Sequence, residues 1–261
     1  MGKRKTIEPY YLSETPFVFD HICEQIASYE GHEWSIPEDL TSLTALVGTE
    51  AVEKLTAITD SAEQNIHLHH MLINPLKDKN SSIRLAAIEW VEYDWGRVRR
   101  RETESHKDWP ELLGSYRDDV VEKFIYENYQ NRIASWSKVL AFAVPSKYAI
   151  YDARVAMSLN AMLDDVNYFH RFYMPPASSK ALQKVFEHVK DEARGLSVDK
   201  FPKYIGYYEY MKLLNALVAK GVAKNVLEVE MKLFANAYKH AREYAYLYDL
   251  KIKFKGDKDL E

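Results

Sequence analysis

The sequence predicts an all-α, multi-helical fold, and three observations carry that prediction. Apolar residues in the longer segments recur with a period near 3.6, which gathers them on one face of a helix. Strand-like alternation is rare. Glycines number nine in 261 residues, too few for the repeated tight turns of an all-β chain. With 47% hydrophobic and 28% charged residues, the chain has the composition of a globular protein and the length to bury a sizeable core.

Taken in order, the first helix is expected over 14–30, with Thr15 as cap, Pro16 at the first helical position and Gly31 as the stop. Pro37 precedes a second helix over 38–47, ended by Gly48. A long helical pattern fills 49–72 with a break near Asp60 and Ser61, and Pro75 follows it. Asn80, Ser81 and Ser82 form a capping cluster for IRLAAIEWVEYDW, which Gly96 ends. The arginine-rich RVRRRETESHKDW then reads as a solvated connector. Residues 118–130 start with Asp118 and Asp119, which complement the helix dipole, and bury Val120, Val121, Phe124 and Ile125. The next helix runs through NRIASWSKVLAFA and stops before Pro145, which biases Val144 away from helical geometry. Asp152 stands as the N-cap of ARVAMSLNAML. RFYMPPASSK is the clearest break in the chain, and Ser178 or Ser179 caps a helix with Leu182, Val185, Phe186 and Val189 on one face. Two further helices, separated near Gly221, complete the pattern before a polar tail over 251–261. Residues 1–261 read as a single helical domain or as two lobes of it, about 1–95 and 96–250, with the site between them.

Composition narrows the function classes. No apolar run approaches the roughly 18–20 residues of a membrane span, so no membrane partner is expected. The basic N-terminus MGKRKTIEPYY leads into no apolar signal region, so a cytoplasmic location is expected. Cys23 is the only cysteine, which excludes an internal disulfide and any four-cysteine zinc or iron–sulfur site. A net charge of −4 argues against coating nucleic acid by bulk charge and leaves room for a local basic footprint. P-loop, GxGxxG and GxSxG motifs are absent. Glu63, His67 and His70 share a helical face, with His69 nearby, but lack the HExxH order and a second cluster; a half-exposed polar face is expected, with no metal and no cofactor.

The stretch with most chemistry in it is 131–162. On a wheel turning about 100° per residue, Ile133, Trp136, Val139, Leu140 and Ala143 gather into a buried stripe. Lys138 falls nearly opposite, close to Ala134 and Ala141, so its plainest reading is a lysine whose ammonium reaches water. Residues 144–151, at roughly 3.3 Å each, have ample length to return Asp152 to Lys138. A neutral lysine amine attacks an electrophilic sugar or carbonyl carbon and forms a Schiff base. Desolvation is what strips its proton, and a fixed carboxylate alongside stabilises positive charge or serves as base.

The stretch SWSKVLAFAVPSKYAIYDARVAMSLN resembles the catalytic segment of the helix–hairpin–helix DNA glycosylases, closest to the bacterial branch similar to 8-oxoguanine DNA glycosylases. The upstream WGRVRRRE resembles a further short segment of such proteins, so that the likeness covers roughly 95–163. The family's glycine-rich hairpin turn is replaced by NRIASW, and the aspartate stands 14 positions after the lysine. What the resemblance implies is a glycosylase, with or without lyase activity, that excises a damaged or modified base from duplex DNA with the base flipped out. Lys138 in SWSK is then the nucleophile and Asp152 in IYDARV its carboxylate partner. Arg97, Arg99, Arg100, Arg101, Arg132 and Arg154 become the phosphate contacts. Trp136 and Tyr151 become aromatic surfaces for the flipped base, although Trp136 lies on the buried stripe, where core packing is the stronger expectation. The alternative is a non-catalytic helical module that keeps a glycosylase-like scaffold and binds DNA or a protein partner.

Overall fold

A computed structural model describes residues 12–29, 34–98, 108–114, 116–128, 132–168, 170–176, 179–195, 199–200 and 203–252. These residues are overwhelmingly helical. A 3-10 turn (Leu12–Glu14) leads into α1 (Pro16–Ser28), followed by α2 (Thr41–Val47), α3 (Thr49–Thr56), α4 (Ser61–Leu76) and α5 (Ser81–Glu89). α5 runs directly into a π-helical turn (Trp90–Trp95). Then come α6 (Asp108–Gly114), α7 (Asp118–Asn128), α8 (Ile133–Ala143), α9 (Ala153–Asp165), α10 (Lys180–Gly195), α11 (Lys203–Ala219) and α12 (Val226–Leu247). Among the described residues, sheet is confined to β1 (His170–Arg171) and β2 (Asp199–Lys200), a two-residue parallel ladder.

The caps set most boundaries. Pro16 opens α1, and Gly48, at φ 87°, separates α2 from α3 in a conformation that L side chains rarely adopt. Asp60 caps α4 by accepting from the Glu63 amide at 2.7 Å, and Asn80 caps α5 by accepting from the Ser82 amide at 2.9 Å. Pro75 lies inside the last turn of α4 rather than after the helix, because Leu72, Pro75 and Leu76 are all buried there and packing holds the turn. Two features depart from the expected pattern. The helix begun at Ser81 does not stay α-helical to Gly96: the Gly96 amide reaches back five residues to the Val91 carbonyl, at 2.9 Å. The end of the presumed connector folds as α6, whose Trp109, Leu112 and Leu113 are buried; one short turn of that kind carries too little periodicity to be read.

The core centres on α8 and α9. In α9 every residue from Ala153 to Leu163 except Arg154 is buried, and the helix lies along α12 with α1 and α10 on other sides. In α8 every position from Ser135 to Ala143 is buried, because α4 and the π turn cover the side that the wheel left open. The segment joining them is buried as well, with Tyr148, Ala149, Ile150 and Tyr151 each at most 4% exposed. A buried loop must find partners for its backbone, and tyrosines from α11 supply two. Tyr207 Oη donates to the Ala149 carbonyl at 3.0 Å and Tyr210 Oη to the Ile150 carbonyl at 2.9 Å. Ser137 Oγ, on α8, accepts from the Tyr151 amide at 3.0 Å. The loop that delivers Asp152 is thus clamped from both sides.

No helix among the described residues is long and apolar enough to cross a membrane.

Candidate functional site

Lys138 is 6% exposed, not solvated. The expectation from the wheel fails because α8 is a central helix rather than a surface one. The lysine stem passes over Gly96: a Cβ built there would stand 3.0 Å from Lys138 Cδ. At its tip, Nζ donates to the Ala134 carbonyl, one turn back along α8, at 2.7 Å. Burial pushes the ammonium's pKa down, opposed by the charges of Asp152, Glu230 and Glu92.

Asp152 caps α9 as expected. Its Oδ1 accepts from the amides of Arg154, at 2.9 Å, and Val155, at 3.1 Å, which fixes the carboxylate at the head of the helix.

Lys138 and Asp152 line one pocket, about 350 Å³ and partly continuous with solvent. Its walls are aromatic: Trp34, Trp95 and Phe234. Asn65, on α4, holds two of them in place. Its side-chain amide donates to the Trp34 carbonyl at 2.7 Å, and its Oδ1 accepts from Trp95 Nε1 at 3.1 Å. His69, one turn further along α4, lies flat on Phe142 with ring centroids 3.6 Å apart and meets Trp95 edge-on.

The fourth wall comes from α12, where Leu227, Glu230, Met231 and Phe234 occupy one face at i, i+3, i+4 and i+7. Glu230 is 4% exposed, and its Oε2 accepts from the Ile150 amide at 3.1 Å. Burial pushes its carboxyl up to about 8, with the Ile150 hydrogen bond and Lys138 opposing and Asp152 adding to the rise.

Comparison with protein-family models, with curated proteins and with solved structures finds no match to this chain.

The remaining expected site residues divide. Trp136 and Tyr151 do not line the pocket, which corrects their assignment as surfaces for a bound base. Trp136 packs edge-on to Tyr207 in the core and donates from Nε1 to the Asn128 carbonyl at 3.2 Å. Tyr151 is 2% exposed and donates from Oη to the Tyr173 carbonyl at 2.6 Å. Of the arginines, Arg97 and Arg154 converge on the pocket wall: their guanidinium carbons stand 5.5 and 5.4 Å from the Trp34 ring. Arg154 also lies 4.3 Å over Phe234. Arg132 is turned inward, paired with the buried Glu92 and stacked 5.2 Å over Trp109. Its backbone takes a left-handed conformation, φ 57°, at the start of α8. Arg99, Arg100 and Arg101 lie outside the described residues. Glu63 and His70 are exposed on the outer face of α4, opposite His69, and no group of three acidic, histidine or cysteine side chains among the described residues is placed to hold a metal ion.

Sequence reasoning passed over Asn65 and Glu230 and named His69 only as a neighbour of the Glu63, His67 and His70 face, yet each left a signal. Asn65 and His69 share a stripe with Leu68 and Leu72, and Glu230 sits between Leu227 and Phe234. A polar side chain on an otherwise apolar helix face is the anomaly to look for, since burying it without purpose costs stability. Chemically, the assembled pocket offers a buried amine whose pKa burial lowers, two carboxyls in different surroundings, and flat walls suited to a planar ligand.

Proposed function

We propose that this protein is a DNA glycosylase of the helix–hairpin–helix kind, excising a damaged or modified base through Lys138. One observation carries the reading: a buried lysine amine shares an aromatic-walled pocket with the fixed carboxylate of Asp152. In this reading α7 and α8 are the hairpin helices, and Lys138 Nζ attacks the sugar carbon that bears the base. Asp152 stabilises the positive charge that develops on the sugar as the bond to the base lengthens. The aromatic walls of the pocket offer flat faces for a stacked base, and in this reading the strand that carries it stays outside. Arg97 and Arg154 stand beside Trp34 at the wall, which supports the reading of them as contacts to that strand's phosphates.

The test is covalent trapping. The full chain is incubated with duplexes carrying 8-oxoguanine, an alkylated base, uracil or an abasic site, then reduced with borohydride. Reduction fixes a lysine Schiff base, so a protein–DNA adduct that Lys138→Ala abolishes is the expected result. Absence of adduct and of base release on every duplex would sink the enzyme and leave the DNA- or protein-binding module as the reading.

A further inference from the structure

We infer that Glu230 is a catalytic residue of the same pocket, the acid that hands its proton to the departing base while Lys138 attacks and Asp152 remains the carboxylate partner. The inference rests on the glycosylase reading and adds the leaving-group half of the reaction.

A nucleobase leaves poorly as an anion, so the bond to the sugar breaks faster when a proton arrives on the base. The pocket holds two carboxyls in contrasting surroundings. Asp152 is committed through Oδ1 to two backbone amides at a helix head. Glu230 projects from the apolar face of α12, among Ile150, Leu227, Met231 and Phe234, and one amide holds its Oε2. Its Oε1 takes no hydrogen bond among the described residues, which leaves that oxygen for an occupant of the pocket. The groups that surround it are Lys138 on α8, Asp152 at the head of α9 and His69 on α4, with the hydroxyls of Tyr207 and Tyr210 on α11 behind. Burial dominates among these influences and keeps the proton on Glu230 at neutral pH. Paired carboxyls whose environments separate them in this way divide acid and carboxylate roles between them.

The step balances. The Lys138 Nζ lone pair forms the new bond to the sugar carbon, and the electron pair of the breaking bond stays on the base nitrogen. The Glu230 proton moves to that base, leaving Glu230 as a carboxylate. The secondary ammonium now on Lys138 returns a proton to Glu230, which restores the acid and frees the amine for ring opening to the Schiff base.

Glu230→Gln tests this, because its amide oxygen still accepts from the Ile150 amide while its side chain has no acid proton. Wild-type and E230Q full chains are compared on the damaged-base duplexes and on the abasic duplex, where no base remains to be protonated. E230Q should release base about 100-fold more slowly or worse and lose much less of the borohydride adduct with the abasic duplex, where the protonation of a departing base is not part of the reaction. Wild-type base release should fall as pH rises through about 8, and E230Q should lack that fall. Infrared difference spectra of the free proteins at neutral pH should show one protonated carboxyl lost in E230Q. Base release by E230Q at the wild-type rate, equal loss of the abasic adduct, or no carboxyl band in the difference spectrum each overturns the role of Glu230 and leaves the Lys138 reading intact. A wild-type protein that forms no adduct on any duplex overturns both.

Discussion

A methyl group at position 96 would collide with two carbonyl oxygens and a lysine. The Cβ of an alanine there would stand 2.7 Å from the Glu92 oxygen, 2.8 Å from that of Val91 and 3.0 Å from Lys138 Cδ. The two oxygens are backbone atoms of the π turn, so an added methyl would distort that turn and press on the lysine stem. Gly96→Ala should destabilise the fold by about 1–3 kcal/mol, the usual range for overpacking, measured by urea unfolding. It should also cut Lys138 adduct formation more than an equally destabilising change far from the pocket. Adduct formation at the wild-type level would show that Gly96 plays no part in seating the lysine. Lys138, Asp152 and Gly96 were all legible in the sequence, the first two as candidate site residues and the third as a helix stop. Their surroundings were not. A wheel reports which side of one helix is apolar, and the burial of Lys138 is decided by α4 and the π turn covering the other side. Glu230 and Asn65 were missed for a related reason: each lies on an apolar stripe, where a periodic reading counts the flanking hydrophobes and passes over the exception.

At the scale of elements, the connection between α8 and α9 decides where Asp152 sits. Nothing in SKYAIY announces that its carbonyls will be met by phenol groups from α11, far along the chain. The abundance of tyrosine was visible, with 19 of them, but its purpose emerges only when Tyr207 and Tyr210 are seen donating into this loop. Tyr210→Phe keeps the ring packing and removes one donor, leaving the buried Ile150 carbonyl short of a partner. The expected cost is about 1–3 kcal/mol, read from urea unfolding, together with slower base release as the loop loosens its hold on Asp152. A variant with unchanged stability and rate would mean that the loop is held by packing alone. Helix ends marked by caps, such as Asp60, Asn80 and Asp152, could be placed from sequence because the cap is a local bond. The π turn could not, because the same residues satisfy an α-helical pattern and the partner of its buried Glu92, Arg132, comes from a distant part of the chain.

For the whole molecule, buried acids set how stability responds to pH. Glu230 is pushed up to about 8 and Glu209 to about 7, both by burial. In the unfolded chain a glutamate titrates near about 4.3. Between the two values the folded protein binds more protons than the unfolded chain, so stability is fully present below about 4.3 and is lost as pH rises through the folded values. For Glu230 the slope approaches about 1.4 kcal/mol per pH unit within that window. Lys138 acts in the opposite sense: the unfolded chain keeps its proton, and the lysine's contribution improves toward alkaline pH. Urea unfolding between about pH 5 and 8 should therefore show wild type losing more stability than Glu230→Gln. Parallel curves for the two proteins would refute a buried, protonated Glu230. The all-helical class was open to sequence reasoning throughout, since period and glycine content report on it directly. The arrangement of the pocket was not, since its walls come from residues as far apart as Trp34 and Phe234.

That separation has a consequence for the order in which the protein becomes what it is. A chain emerging from the ribosome presents Lys138 long before α12, which closes one side of the pocket and packs along α9. Until that helix docks, one side of the pocket is open and the burial that lowers the amine's pKa is incomplete. Copies interrupted before α12 lack Glu230 and one wall of the pocket, so the proposed site is complete only once the last described helix has docked.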